Sequence, residues 1–162
     1  MKCCLTPLPT IDLDIYIDAL TSWGIGLCVG NWWATGHLVP RWNTKGCNIS
    51  WVEAVALELA MLWLAETDQN DLCTVIHLDN MGVIKAFNKG RSQNMHHDNC
   101  LQRISMILAV SNFSLVPCFV PSWLNKADPL LWGILGSQEL QLEPTLILSP
   151  KLSVYLVCSR CL

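Results

Sequence analysis

A chain of 162 residues suits one domain of ordinary size and leaves little room for a second. Apolar residues make up 52% and charged residues 14%, which fills a core and excludes a disordered chain. A net charge of −3 gives no global attraction for nucleic acid, so any such binding must come from a local basic patch.

In chain order, Ile11 to Ala19 alternates, with Ile11, Leu13, Ile15 and Ile17 on one face and Asp12, Asp14, Tyr16 and Asp18 on the other. This predicts a strand with one buried side. Thr21-Ser22 turns the chain into a second strand, Trp23 to Val29, and Gly30-Asn31 is a hairpin signal leading to a third, Trp32 to Leu38. After a polar loop, Ser50 with Glu53 three residues later forms a capping-box pattern ahead of a helix over Trp51 to Ala65. That helix is apolar around most of its circumference, so it should be largely buried. Leu72 to Leu78 reads as a buried strand ended by Asp79. Asn80 to Asn88 reads as a short helix closed by Gly90, His97 to Val110 as a further helix, and Phe113 to Val120 as a last strand. Pro117 places that last strand at a sheet edge or at a break. The order implies antiparallel hairpins followed by parallel pairings, an α/β fold with a mixed sheet covered by helices. The domain is expected over 11–133, with a tail over 134–162 that fits no element.

Four acids fall at element ends: Asp18 on the first strand, Glu53 opening the long helix, Asp79 after the fourth strand and Asp128 after the fifth. Sites in mixed α/β sheets gather at strand ends and helix starts. Carboxylates brought together repel one another unless cations bind between them, and hard oxygen donors suit Mg²⁺ or Mn²⁺. Two such ions about 3.5–4 Å apart can activate water and stabilise the leaving oxygen in phosphodiester cleavage. Each acid also has a structural reading. Asp18 can initiate the following turn, Glu53 can serve only as the capping partner of Ser50, Asp79 can cap the next helix, and Asp128 can turn the chain with Pro129. Glu58 lies five positions beyond Glu53, about 140° around the helix, so the two do not share a site.

Five stretches then appear in one order: Tyr16-Ile-Asp-Ala-Leu-Thr-Ser-Trp-Gly-Ile-Gly, Ile49-Ser-Trp-Val-Glu-Ala-Val-Ala-Leu-Glu-Leu, Leu78-Asp-Asn-Met-Gly-Val, Lys89-Gly-Arg-Ser-Gln-Asn and Val120-Pro-Ser-Trp-Leu-Asn-Lys-Ala-Asp-Pro. Together they resemble the ribonuclease H domain of reverse transcriptases, particularly those of fungal retrotransposons. The resemblance implies a five-stranded mixed sheet flanked by helices. It implies that Asp18, Glu53, Asp79 and Asp128 bind two Mg²⁺ or Mn²⁺ ions and catalyse hydrolysis of the RNA strand of an RNA–DNA hybrid. It also implies a polymerase domain as partner within a parent polyprotein. The chain departs from the family at Leu20, at Leu131 and Trp132, and in having no histidine between the fifth strand and Asp128. These departures open a second reading, a decayed domain that binds nucleic acid or protein without cutting. Ala19 removes the second acid that a polymerase palm hairpin would need.

Lys85, Lys89, Arg91, Arg103, His96 and His97 form the dense basic region. With Asn80, Ser92, Asn94 and Asn125, the residues Lys89 and Arg91 are the expected substrate contacts, gripping phosphates without reading bases. Among eight tryptophans, Trp51 and Trp63 read as core, and Trp123 is kept as a substrate contact. Nine cysteines are scattered, with Cys158 and Cys161 the one C-x-x-C pair and no second pair to complete a zinc site. The odd count and the absence of a signal-peptide core in Met1 to Thr10 suggest reduced, intracellular thiols. Polar residues interrupt every apolar stretch before about 18 residues, so no membrane span is expected.

Overall fold

The computed structural model describes residues 7–44, 46–67, 70–142 and 153–158. Six strands and four helices appear there in the order β1 (Thr10–Leu20), β2 (Gly24–Val29), β3 (Trp32–Leu38), α1 (Ile49–Glu66), β4 (Leu72–Leu78), α2 (Met81–Lys89), α3 (Met95–Val110), β5 (Phe113–Phe119), α4 (Asp128–Leu131) and β6 (Leu156–Cys158). They form one sheet in the order β5-β4-β1-β2-β3-β6. The hairpins β1/β2 and β2/β3 are antiparallel, as is β3/β6, whereas β1/β4 and β4/β5 are parallel.

The two faces of β1 build two apolar layers. Ile15, Ile17 and Ala19 point into the main core with Val52, Leu57, Met61 and Leu64 of α1 and Leu101 and Ile104 of α3. Tyr16 points the other way, toward a smaller cluster of Cys28, Trp33, Ala127 and Leu130, so α4 covers the opposite face. Ile11 is 46% exposed, before a register shift between Ile11 and Ile15 where Asp14 takes a φ of 57°. The alternation therefore locates the buried face correctly from Leu13, which packs against the core, onward and overextends it only at Ile11.

β5 lies at the sheet edge, where Pro117, paired with Ile76, has no outer neighbour to which an N–H would donate. The sixth strand differs from the five expected. Leu156–Cys158, from the tail, pairs with Gly36–Leu38 of β3. Other tail residues fold back as well: Trp33 Nε1 donates to Ser137 O at 2.8 Å and Leu142 N donates to Trp33 O at 2.7 Å. A three-residue strand has no periodicity to read, which is why the tail is opaque in sequence. Cys3, Cys4 and Cys161 lie outside the described residues; Cys28, Cys73, Cys100 and Cys118 are thiols not joined in disulfides. Among the described residues, no helix is long and apolar enough to cross a membrane.

Candidate metal centre

The parallel pairing of β1 with β4 brings two of the acids together. Tyr16 is registered against His77, so two residues further on Asp18 and Asp79 lie side by side at the C-terminal ends of adjacent strands. Glu53 reaches them from α1. Ligand atoms of Asp18, Glu53 and Asp79 all lie within 4.8 Å of one another. Asp128, at the start of α4, stands outside this tight set but close enough for its charge and a hydrogen bond to act on Asp18.

The helix start differs from the capping box read in the sequence. Asn48, not Ser50, is the N-cap, and its side chain accepts from Trp51 N at 3.1 Å. Asn48 is extended, as an N-cap requires, whereas Ser50 is already helical. Glu53 is thus two residues beyond the position from which a side chain reaches back to the cap, and its carboxylate is left for the site. Asp79 likewise does not cap α2; Asn80 does, accepting from Val83 N at 3.1 Å. Ser122 Oγ instead donates to Asp79 Oδ2 at 2.6 Å, a contact that the sequence reading missed, although Ser122 lies in one of the matched stretches.

The electrostatics follow from crowding. Burial, then the charges of Asp18 and Asp79, push the Glu53 carboxyl up to about 9. Burial, then Asp79, raise Asp18 to about 7, with Asp128 adding to the rise and the Ala19 N–H opposing it. Glu53 is 3% exposed, and its Oε2 has no hydrogen-bond partner among the described residues. A buried carboxylate oxygen without a donor is costly unless a proton or cation meets it. The donor set is all oxygen, from three elements, which fits a hard divalent ion.

The expected substrate contacts fall into two groups. Lys85, Lys89 and Arg91 are exposed on and after α2. Arg103 and His97 of the basic region are neutralised or withdrawn from solvent. Arg103 donates to both carboxylate oxygens of buried Glu58, at 2.7 and 2.9 Å, and His97 is 3% exposed with Nδ1 against Ser92 Oγ at 3.2 Å. Asn94 caps α3 through His97 N and donates to Gly46 O, and Ser92 N donates to Asp98. Asn125 is 3% exposed, with both polar ends of its side chain bonded inside the protein. Trp51 is buried, Trp63 half-buried, and Trp123 is 84% exposed beside Ser122.

This sheet order, with α1 and α3 on one face and acids converging at the ends of its two central parallel strands, defines a ribonuclease H-like fold. Among solved structures the chain is similar to ribonuclease H1 from the halophilic archaeon Halobacterium salinarum NRC-1, with 17% identity and a TM-score of 0.53. The match covers 76% of this chain and 94% of that one. No family model matches the chain, and no curated protein matches it.

Proposed function

We propose that this chain is a metal-dependent endonuclease that hydrolyses the RNA strand of RNA–DNA hybrids, descended from the nuclease domain of a retroelement reverse transcriptase. The observation that carries the reading is the convergence of Asp18, Glu53 and Asp79, with a buried Glu53 oxygen that no group among the described residues satisfies. Asp18, Glu53, Asp79 and Asp128 would hold two Mg²⁺ or Mn²⁺ ions. Bound there, such ions supply an activated water and stabilise the leaving oxygen of a phosphodiester.

The chain's own residues prepare that site. Burial removes competing water from Asp18 and Glu53, and the Ser122 hydroxyl fixes the Asp79 carboxylate. Lys89 and Arg91, both exposed, meet phosphates of the hybrid and set its register without reading bases. Asn80 adjoins Asp79, while Ser92 and Asn94 shape the turn that presents Arg91. Trp123, exposed beside Ser122, offers a stacking surface next to the acids. In a parent polyprotein, a polymerase domain would deliver the hybrid.

Labelled RNA, presented in a hybrid, as a single strand and in duplex RNA, tests the substrate class alongside duplex DNA. Internal cuts in the RNA of the hybrid alone are expected. Equal cutting of duplex DNA would sink the assignment and indicate another nuclease type on this fold. Binding by the folded protein without cutting would mark a domain whose acids outlived its chemistry.

A further inference from the structure

We infer that Asn125 is a positioning residue that sets Asp128 against Asp18; the inference rests on the metal-dependent reading above. The Asn125 amide Nδ2 donates to Ile17 O at 2.9 Å, across 108 residues of sequence. Its Oδ1 accepts from Ala127 N at 3.1 Å. One buried side chain therefore joins the residue before Asp18 to the residue before Asp128. The same residue closes the surrounding turn through its backbone, since Asn125 N donates to Ser122 O and Asp128 N donates to Asn125 O.

α4 cannot hold its own first residue in place. It is four residues long, and its N-cap, Ala127, has no side chain with which to cap. The tether must come from outside, and two features supply it. Asn125 fixes the turn to β1. Gly26, the register partner of Asp18 on β2, lets the turn come close: a Cβ there would lie 3.1 Å from Ala127 O and 3.3 Å from Leu130 Cβ. The carbonyl of fully buried Ala127 and the Leu130 side chain occupy the space that Gly26 leaves open.

The position needs a donor toward Ile17 O and an acceptor from Ala127 N on one short side chain, which is what an asparagine amide offers. An aspartate keeps the acceptor but turns an oxygen on the Ile17 carbonyl, and a leucine leaves both backbone groups unpaired in the interior. Either change frees the turn and lets Asp128 drift from Asp18.

The test is a calorimetric Mn²⁺ titration of the full chain as wild type, Asn125→Asp, Asp128→Asn and the double variant, with kcat and KM on the hybrid in parallel. Asn125→Asp is expected to weaken Mn²⁺ binding by about 10–100-fold, as loss of a ligand-orienting partner does. It should lower kcat, leave KM for the hybrid nearly unchanged, and add little once Asp128 is already Asn. A loss of equal size in both backgrounds would overturn the inference, because a general structural role is blind to Asp128. Gly26→Ala, which crowds the same turn at Ala127 O, the acceptor of Leu130 N, and leaves both Asn125 side-chain partners in place, should give the same pattern at smaller size and serves if Asn125→Asp does not fold. Unchanged Mn²⁺ affinity in the folded variants overturns the inference alone. A wild-type chain that binds no Mn²⁺ overturns the metal reading and the inference with it.

Discussion

Glu53 and Asp18 are held protonated to higher pH in the folded chain than their ordinary values near 4 allow, to about 9 and about 7. Between those limits the folded state carries more protons than the unfolded one. Stability in the absence of metal therefore falls as pH rises through that window, and is fully present below it. Cations need the ionised carboxylates, so binding releases protons and its stabilising effect grows toward alkaline pH. Melting wild type and Glu53→Gln from about pH 5 to about pH 8 in chelator checks this. Wild type should lose stability across the range, while the variant keeps only the smaller loss that comes from Asp18 and ends about 1 kcal/mol or more ahead, roughly 2–4 °C in Tm. Mn²⁺ should reverse the order at the upper pH, and a flat wild-type profile would contradict the crowding.

At the scale of elements, local sequence places β3 and β4 with the bounds observed, Trp32–Leu38 and Leu72–Leu78, through the Gly30-Asn31 hairpin signal and a short apolar run ended by Asp79. It also finds α2, whose end is set by Gly90 in the left-handed conformation. The start of α1 was legible only to within two residues, because Asn48 and Ser50 are both good caps and backbone geometry decides between them. Replacing Asn48 with Ala should cost about 1 kcal/mol in denaturant unfolding. Ser50→Ala should stay within about 0.5 kcal/mol; the opposite ranking would restore the capping box. The basic region misled for a different reason. Arg103 looks like a surface cation beside Arg91, yet its partner Glu58 lies 45 residues away on α1, a contact that local sequence does not encode. Glu58 is 2% exposed and also accepts from Cys100 Sγ. Arg103→Ala strands that carboxylate and should cost about 3–5 kcal/mol in the same assay.

For the whole molecule, the sequence reveals the three opening strands, the later strand–helix alternation and four acids at element ends. It does not reveal which pair is adjacent. That follows from the parallel register of β1 with β4, a pairing between segments far apart in the chain. The sixth strand and the second apolar layer under α4 escaped for related reasons, one being too short and the other assembled from Cys28, Trp33 and Leu130 on separate elements. With a net charge of −3, any attraction for a hybrid would have to be local, and Lys89 and Arg91 are the contacts proposed for it. Removing either should weaken hybrid binding and reduce the salt slope by about one, in titrations across ionic strength. The account stands or falls on chemistry at the converged acids. Purified protein incubated with a hybrid labelled in its RNA strand, with Mg²⁺, with Mn²⁺ and with chelator, beside Asp79→Asn, tests it most directly. Internal cleavage that needs metal and disappears in Asp79→Asn is the predicted result. Cleavage that persists in chelator or in Asp79→Asn, or none from folded wild type with either metal, would contradict it.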